Sequence, residues 1–124
     1  MGGGIGGGGG GGSFGNTKGS GRIRGFPKRI HEGNQGKHIP GHNNYMKGRS
    51  VFRGSMKKAQ ELVDQYAGTG QQKGPKKEVI DFGEVIGTYI DHNTGRTGET
   101  TRGTIHYSKK GTHIVPARPK GWKD

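Results

Sequence analysis

The chain has 124 residues, of which 29 are Gly, none is Cys and only 24% are hydrophobic, so the folded part must be smaller than the chain, and a disulfide framework or thiolate metal site is excluded. Lys and Arg number 21 against 9 acids, a formal net charge of +12 with neutral His, which favours polyanionic partners: nucleic acid, anionic lipid or an acidic protein. No apolar run reaches the ~18 residues of a membrane span and no apolar segment near Met1 resembles a signal peptide, so a soluble monomer is expected.

Residues 1–30 include the glycine run and cannot bury enough apolar surface to offset chain entropy. They are expected to form a disordered basic linker, with five cations and no acids, which leaves +7 for a folded domain at 31–124. Residues 31–53 mix turn formers with the anchors Ile39, Tyr45, Val51 and Phe52 and suggest an ordered irregular segment. A helix of about 12 residues is predicted from Ser55, its N-cap, with Met56, Ala59, Leu62, Val63, Tyr66 and Ala67 on one apolar face and Gly68 as the left-handed stop. Such a helix is marginal alone and needs a packing partner.

That partner is predicted to be a sheet. From Glu78 to Ile90, alternation puts Ile80, Phe82, Ile86 and Ile90 on one face and Val79, Val85 and Tyr89 on the other, with a bend or bulge at Gly83 and Gly87. Residues 91–99 form a turn-rich connection. A second strand, Thr100 to Ser108, places Ile105 and Tyr107 opposite Thr104, His106 and Ser108. A third runs from Thr112 to Ala117 and stops at the prolines. The expectation is α+β: a short helix on a small antiparallel meander.

The turn between the last two strands decides whether His106 and His113 can cooperate. A two-residue loop at Lys109–Lys110 would set His106 opposite His113, whereas a type I turn with Gly111 as bulge would send His113 to the reverse face. Lys109, Lys110 and Gly111 favour the bulged form, with His106 in the site. His38 and His42 are four apart, but Pro40 and Gly41 lie between them, so a helical metal pair is not expected. No HExxH, phosphate-binding loop, dinucleotide fingerprint or GxSxG is present, and no metal or other cofactor is expected.

Histidine with nearby cations suits an RNA substrate, whose 2′-hydroxyl can attack the adjacent phosphate if imidazoles move the protons and Lys or Arg stabilises the phosphorane. The same groups serve an RNA-binding protein that cuts nothing, and the residues alone leave the two level. KHIPGHNNY, LVDQYAGTG, VIDFGEVIGTYID and TRGTIHYSKKGTHIVPARP, spanning about residues 35–119, resemble the polymorphic toxin type 50 domain. The resemblance implies a ribonuclease with a barnase/EndoU/colicin/RelE-like fold, found at the end of secreted toxins or in phage head-morphogenesis proteins. It further implies action in a target-cell cytoplasm, the alternative being a cytoplasmic protein; a toxic domain needs a neutralising immunity protein in the producing cell, and a charge of +12 predicts an acidic one.

By resemblance, His38 and His106 are the acid/base candidates, with His113 retained beside them. Lys109, Lys110 and Lys37 are candidates for phosphate stabilisation, and Thr104, Tyr107 and Ser108 for positioning. His42 departs from the family pattern, where a smaller polar residue such as Thr stands. The expected function is metal-independent RNA cleavage. A non-catalytic RNA-binding or phage structural module is the alternative, followed by a metal-dependent DNA nuclease.

Overall fold

A computed structural model of the chain describes residues 25–123. In chain order it contains α1 (Glu32–Gly36), β1 (Val51–Phe52), α2 (Met56–Tyr66), β2 (Gln71–Gly74), β3 (Lys77–Asp81), β4 (Gly87–Ile90), β5 (Thr97–Thr100), β6 (Arg102–Ser108) and β7 (Gly111–Pro116). The architecture is α+β, with two antiparallel sheets ordered β1-β4-β5 and β2-β3-β6-β7 in place of one meander. Residues 1–24 of the expected linker lie outside the described residues. Of its last residues, Phe26 packs against the core and Ile30 is buried.

α2 forms where its apolar spacing demands. The Ser55 hydroxyl accepts from the Lys58 N–H at 3.1 Å, and Ala59, Leu62 and Val63 are buried. Burial of Leu62 and Val63 contributes roughly 1.5–3 kcal/mol each. Gly68 then takes a φ of 88°, a left-handed conformation that costs glycine little. The helix lies on the face formed by Ile80, Phe82, Ile86, Ile105, Tyr107 and Ile114.

The buried carboxylate of Glu78 ties the end of α2 to this sheet. It is 2% exposed, accepts the Gly68 and Gly70 N–H groups at 2.8 Å each, and accepts the Tyr107 hydroxyl. Burial and then Glu78 push the Tyr107 phenol well above its ordinary pKa, so it remains a donor. The carboxylate thus holds three donors in place of water, the condition under which a buried charge is tolerated.

The segment expected as one strand from Glu78 to Ile90 is divided between the sheets. Phe82 N–H donates to Thr101 O and Ile86 N–H to Thr100 O, which extrudes residues 83–85 as a loop. Asp81 Oδ1 accepts the Gly83 N–H at 2.9 Å, and Gly83 has φ 76°. Opposite this pinch the chain passes from β5 to β6 through Thr101, so the sheets are two ends of one long hairpin broken by its bulge.

The turn after β6 is a two-residue loop, which corrects the bulged form expected. Ser108 pairs with Gly111, Tyr107 with Thr112 and His106 with His113. Gly111 has φ 134°, and a Cβ there would lie 2.5 Å from Arg29 O. Glycine is required because residues 29–31 run close alongside β7, and no bulge is involved. Ser108 Oγ closes the turn by donating to Gly111 O and accepting from Lys110 N–H.

Glu78→Ala is expected to leave the two loop amides and a buried phenol unpaired and to destabilise the fold by about 3 kcal/mol or more. Tyr107→Phe, which removes one donor and leaves the amides in place, should cost about 1–2 kcal/mol. Denaturant titration of both variants checks the order.

Candidate functional site

β7 has β6 on one side only, and its other edge is closed by two devices. His31 N–H donates to Thr112 O and Thr112 N–H to Arg29 O, a parallel bridge centred on Ile30. Further along, the Gln35 carboxamide, fully buried, donates to Ile114 O at 2.9 Å and accepts from Ile114 N–H at 2.7 Å. It stands in for a neighbouring strand, and it fixes α1, capped by His31 Nδ1 accepting from Asn34 N–H, along the edge.

His38 follows directly. Its N–H donates to Gln35 O and its carbonyl accepts from Phe52 N–H, while ring Nδ1 meets Ser50 O at 2.8 Å. A carbonyl only accepts, so Nδ1 carries the hydrogen and Nε2 keeps its lone pair in the neutral ring. The ring, 4% exposed, lies 6.1 Å from that of His113 at 14° between planes, and His113 lies 5.0 Å from His106 at 15°. The three imidazoles form a column with His113 in the middle; His106 and His113, on the sheet, are half-buried, and His38 is buried behind them.

The column is held in its neutral form. Burial pushes His113 down to about 3, followed by His106, His38, Lys37 and His31. Burial also lowers His38, opposed by the Ser50 carbonyl and assisted by Arg49 and Lys37, and lowers His106 ahead of Lys77 and His38. Every charged or titratable group acting on the rings is a cation or another imidazole. Such a site favours an anion, whose arrival would raise the proton affinity of all three rings.

The structure brings His38, His106 and His113 together, with Lys37 close enough to act on two of them. Thr104 shares the sheet face of His106. Lys109 and Lys110 stand exposed at the turn tip, and the Ser108 hydroxyl is engaged within that turn. Tyr107 faces away, its hydroxyl bound to Glu78 in the core, because neighbouring strand residues point to opposite faces. His42 lies against Gly36 and its Nδ1 accepts from Asn44 N–H.

Sequence reasoning missed Lys77, cross-strand partner of His106, and Arg49 and His31; no local pattern marks them, since long-range pairing brings them in. Among the described residues no group of three or more His, Cys, Asp or Glu is placed to hold a metal ion: stacked rings do not converge on one point. No helix among the described residues is long and apolar enough to cross a membrane.

The family model for bacterial toxin 50 matches residues 30–116, and the chain belongs to this family. Among curated proteins, none matches the chain.

Because the folded-state pKa of His113 lies below the unfolded value, the unfolded chain binds more protons between the two. Stability is therefore full above about 6.5 and is lost as pH falls toward about 3. His113→Gln should flatten this loss, by at most about 1.4 kcal/mol per pH unit, as measured by denaturant unfolding at pH 7 and pH 5.

Proposed function

From membership of the bacterial toxin 50 family, we propose that this toxin domain is an endoribonuclease working by metal-independent 2′-hydroxyl attack. The observation that carries the reading is the stacked pair His106 and His113, 5.0 Å apart, surrounded only by positive charge. One imidazole takes the 2′-hydroxyl proton as the 2′-oxygen bonds to phosphorus. The other gives a proton to the 5′-oxygen as the P–O5′ bond breaks, leaving a 2′,3′-cyclic phosphate.

Depressed pKa values suit the base, which must begin neutral. The acid gains its proton on binding, because the phosphodiester supplies negative charge that no protein group supplies to the rings. Lys77 and Lys37 stabilise the phosphorane, and the exposed Lys109 and Lys110 hold flanking phosphates. His38, fixed by Ser50 and buried behind His113, orients and tunes the middle ring. This moves the acid/base pair from His38 and His106 to the two rings that are only half-buried.

The domain then acts as an effector in the cytoplasm of a target cell, and the producing cell needs an immunity protein. The charge of +12 favours an acidic one that covers the imidazole face. Its binding should stop cleavage and should weaken as salt is raised.

Incubation with tRNA and rRNA in EDTA should give cyclic-phosphate ends, with His106→Ala and His113→Ala each lowering kcat about 10²–10⁴-fold while binding persists. His38→Gln should lower kcat less and shift the pH profile. RNA retardation without cutting would identify a binding module, and cutting of DNA only with magnesium would identify a metal-dependent nuclease.

A further inference from the structure

The face of the sheet that carries His106 continues beyond the imidazoles. Cross-strand partners share a face, so Lys77, His106 and His113 form one row. The next row on that face is Val79, Thr104 and Val115, with Gln71 opposite Val79 on β2. The two rows are two residues apart along each strand, about 6.7 Å. That distance is comparable to the reach from a ribose phosphate to its own base.

The chemistry of the second row differs from that of the first. Val79, Thr104 and Val115 are each half-buried, and Gln71 is exposed. α2 packs on the other face of these strands. Among the described residues the Thr104 hydroxyl and the Gln71 carboxamide make no side-chain hydrogen bond. An apolar shelf carrying a small number of unpaired polar groups is the usual composition of a small-ligand subsite. Bases in single-stranded RNA are recognised in this way, with an apolar contact to the ring and hydrogen bonds to its edge.

We propose that Val79, Thr104 and Val115, with Gln71, form the nucleobase subsite for the nucleotide whose phosphate meets His106 and His113. The valines contact the base, and the Thr104 hydroxyl and Gln71 carboxamide read its edge. This proposal rests on the RNA-binding part of the reading above and not on cleavage. It gives the domain a base preference set on β2, β3, β6 and β7, away from the groups that transfer protons.

Titration of the full chain with the four nucleoside 3′-monophosphates and with inorganic phosphate, followed by calorimetry, tests it. The best nucleotide should bind more tightly than phosphate and about fivefold more tightly than the worst, the discrimination expected from one net hydrogen bond. Thr104→Val should bring all four to within about twofold of one another with phosphate affinity unchanged, and Thr104→Ser should restore the order. Nucleotides that bind no better than phosphate, or a preference untouched in Thr104→Val, would overturn the subsite. Selective nucleotide binding by a protein that leaves RNA intact would remove the nuclease reading and keep the subsite.

Discussion

The two hydrogen bonds between the Gln35 carboxamide and the main chain of Ile114 hold the site in place. An exposed edge of β7 would present open N–H and C=O groups, and replacing Gln35 by an apolar side chain would orphan two buried ones, at roughly 1–3 kcal/mol each. α1 has only five residues, too few to persist unaided. It exists because it is fastened to the sheet, and the sheet edge is covered because α1 is there. His38 bonds back to the Gln35 carbonyl, so its place in the imidazole column is a consequence of this exchange.

The electrostatics follow from where the acids are used. Glu78 is enclosed by loop amides and a phenol, Asp91 Oδ1 accepts the N–H groups of Asn93 and Thr94 in the β4–β5 loop, and Glu84 and Glu99 pair with Lys58 and Arg53. Asp81 caps Gly83 and faces Arg102. None of these carboxylates acts on the three rings. A His–carboxylate pair would hold its imidazolium ready before substrate binds. This column instead stays neutral until an anion enters, which couples protonation to binding.

Much of the scaffold was legible in the sequence. The spacing of Met56 to Ala67 and the Ser55 cap define α2, because helix period and capping are local. Alternation located β6 and β7 and the inward face of Ile80, Phe82 and Ile86. The pinch at Gly83 was visible as a bend, but its consequence, two sheets, depends on Phe82 and Ile86 both meeting Thr100 and Thr101. Local turn preferences at Lys109–Gly111 point to the bulged form, whereas the reason for Gly111 is the close passage of residues 29–31. β2 and α1 have weak local signals, a polar QQKG and an EGNQG, and form through long-range partners. The family resemblance suggests Tyr107 for the site, whereas strand alternation sets it on the core face, where it is found.

Register is the last constraint, and it bears directly on chemistry. A one-residue slip of β7 against β6 would move His113 to the core face and set Ile114 opposite His106. The Ser108 hydroxyl, bridging Gly111 O and the Lys110 amide, and the Arg29–His31 segment along Gly111 both oppose that slip. The proposed acid/base pair therefore depends on one short hairpin, formed by neighbours in sequence. Lys77 arrives from β3 and His38 from the turn after α1, and both segments must first dock on that hairpin. Loosening of either docked element would alter the tuning of the pair while its 5.0 Å spacing, set by strand pairing, persists.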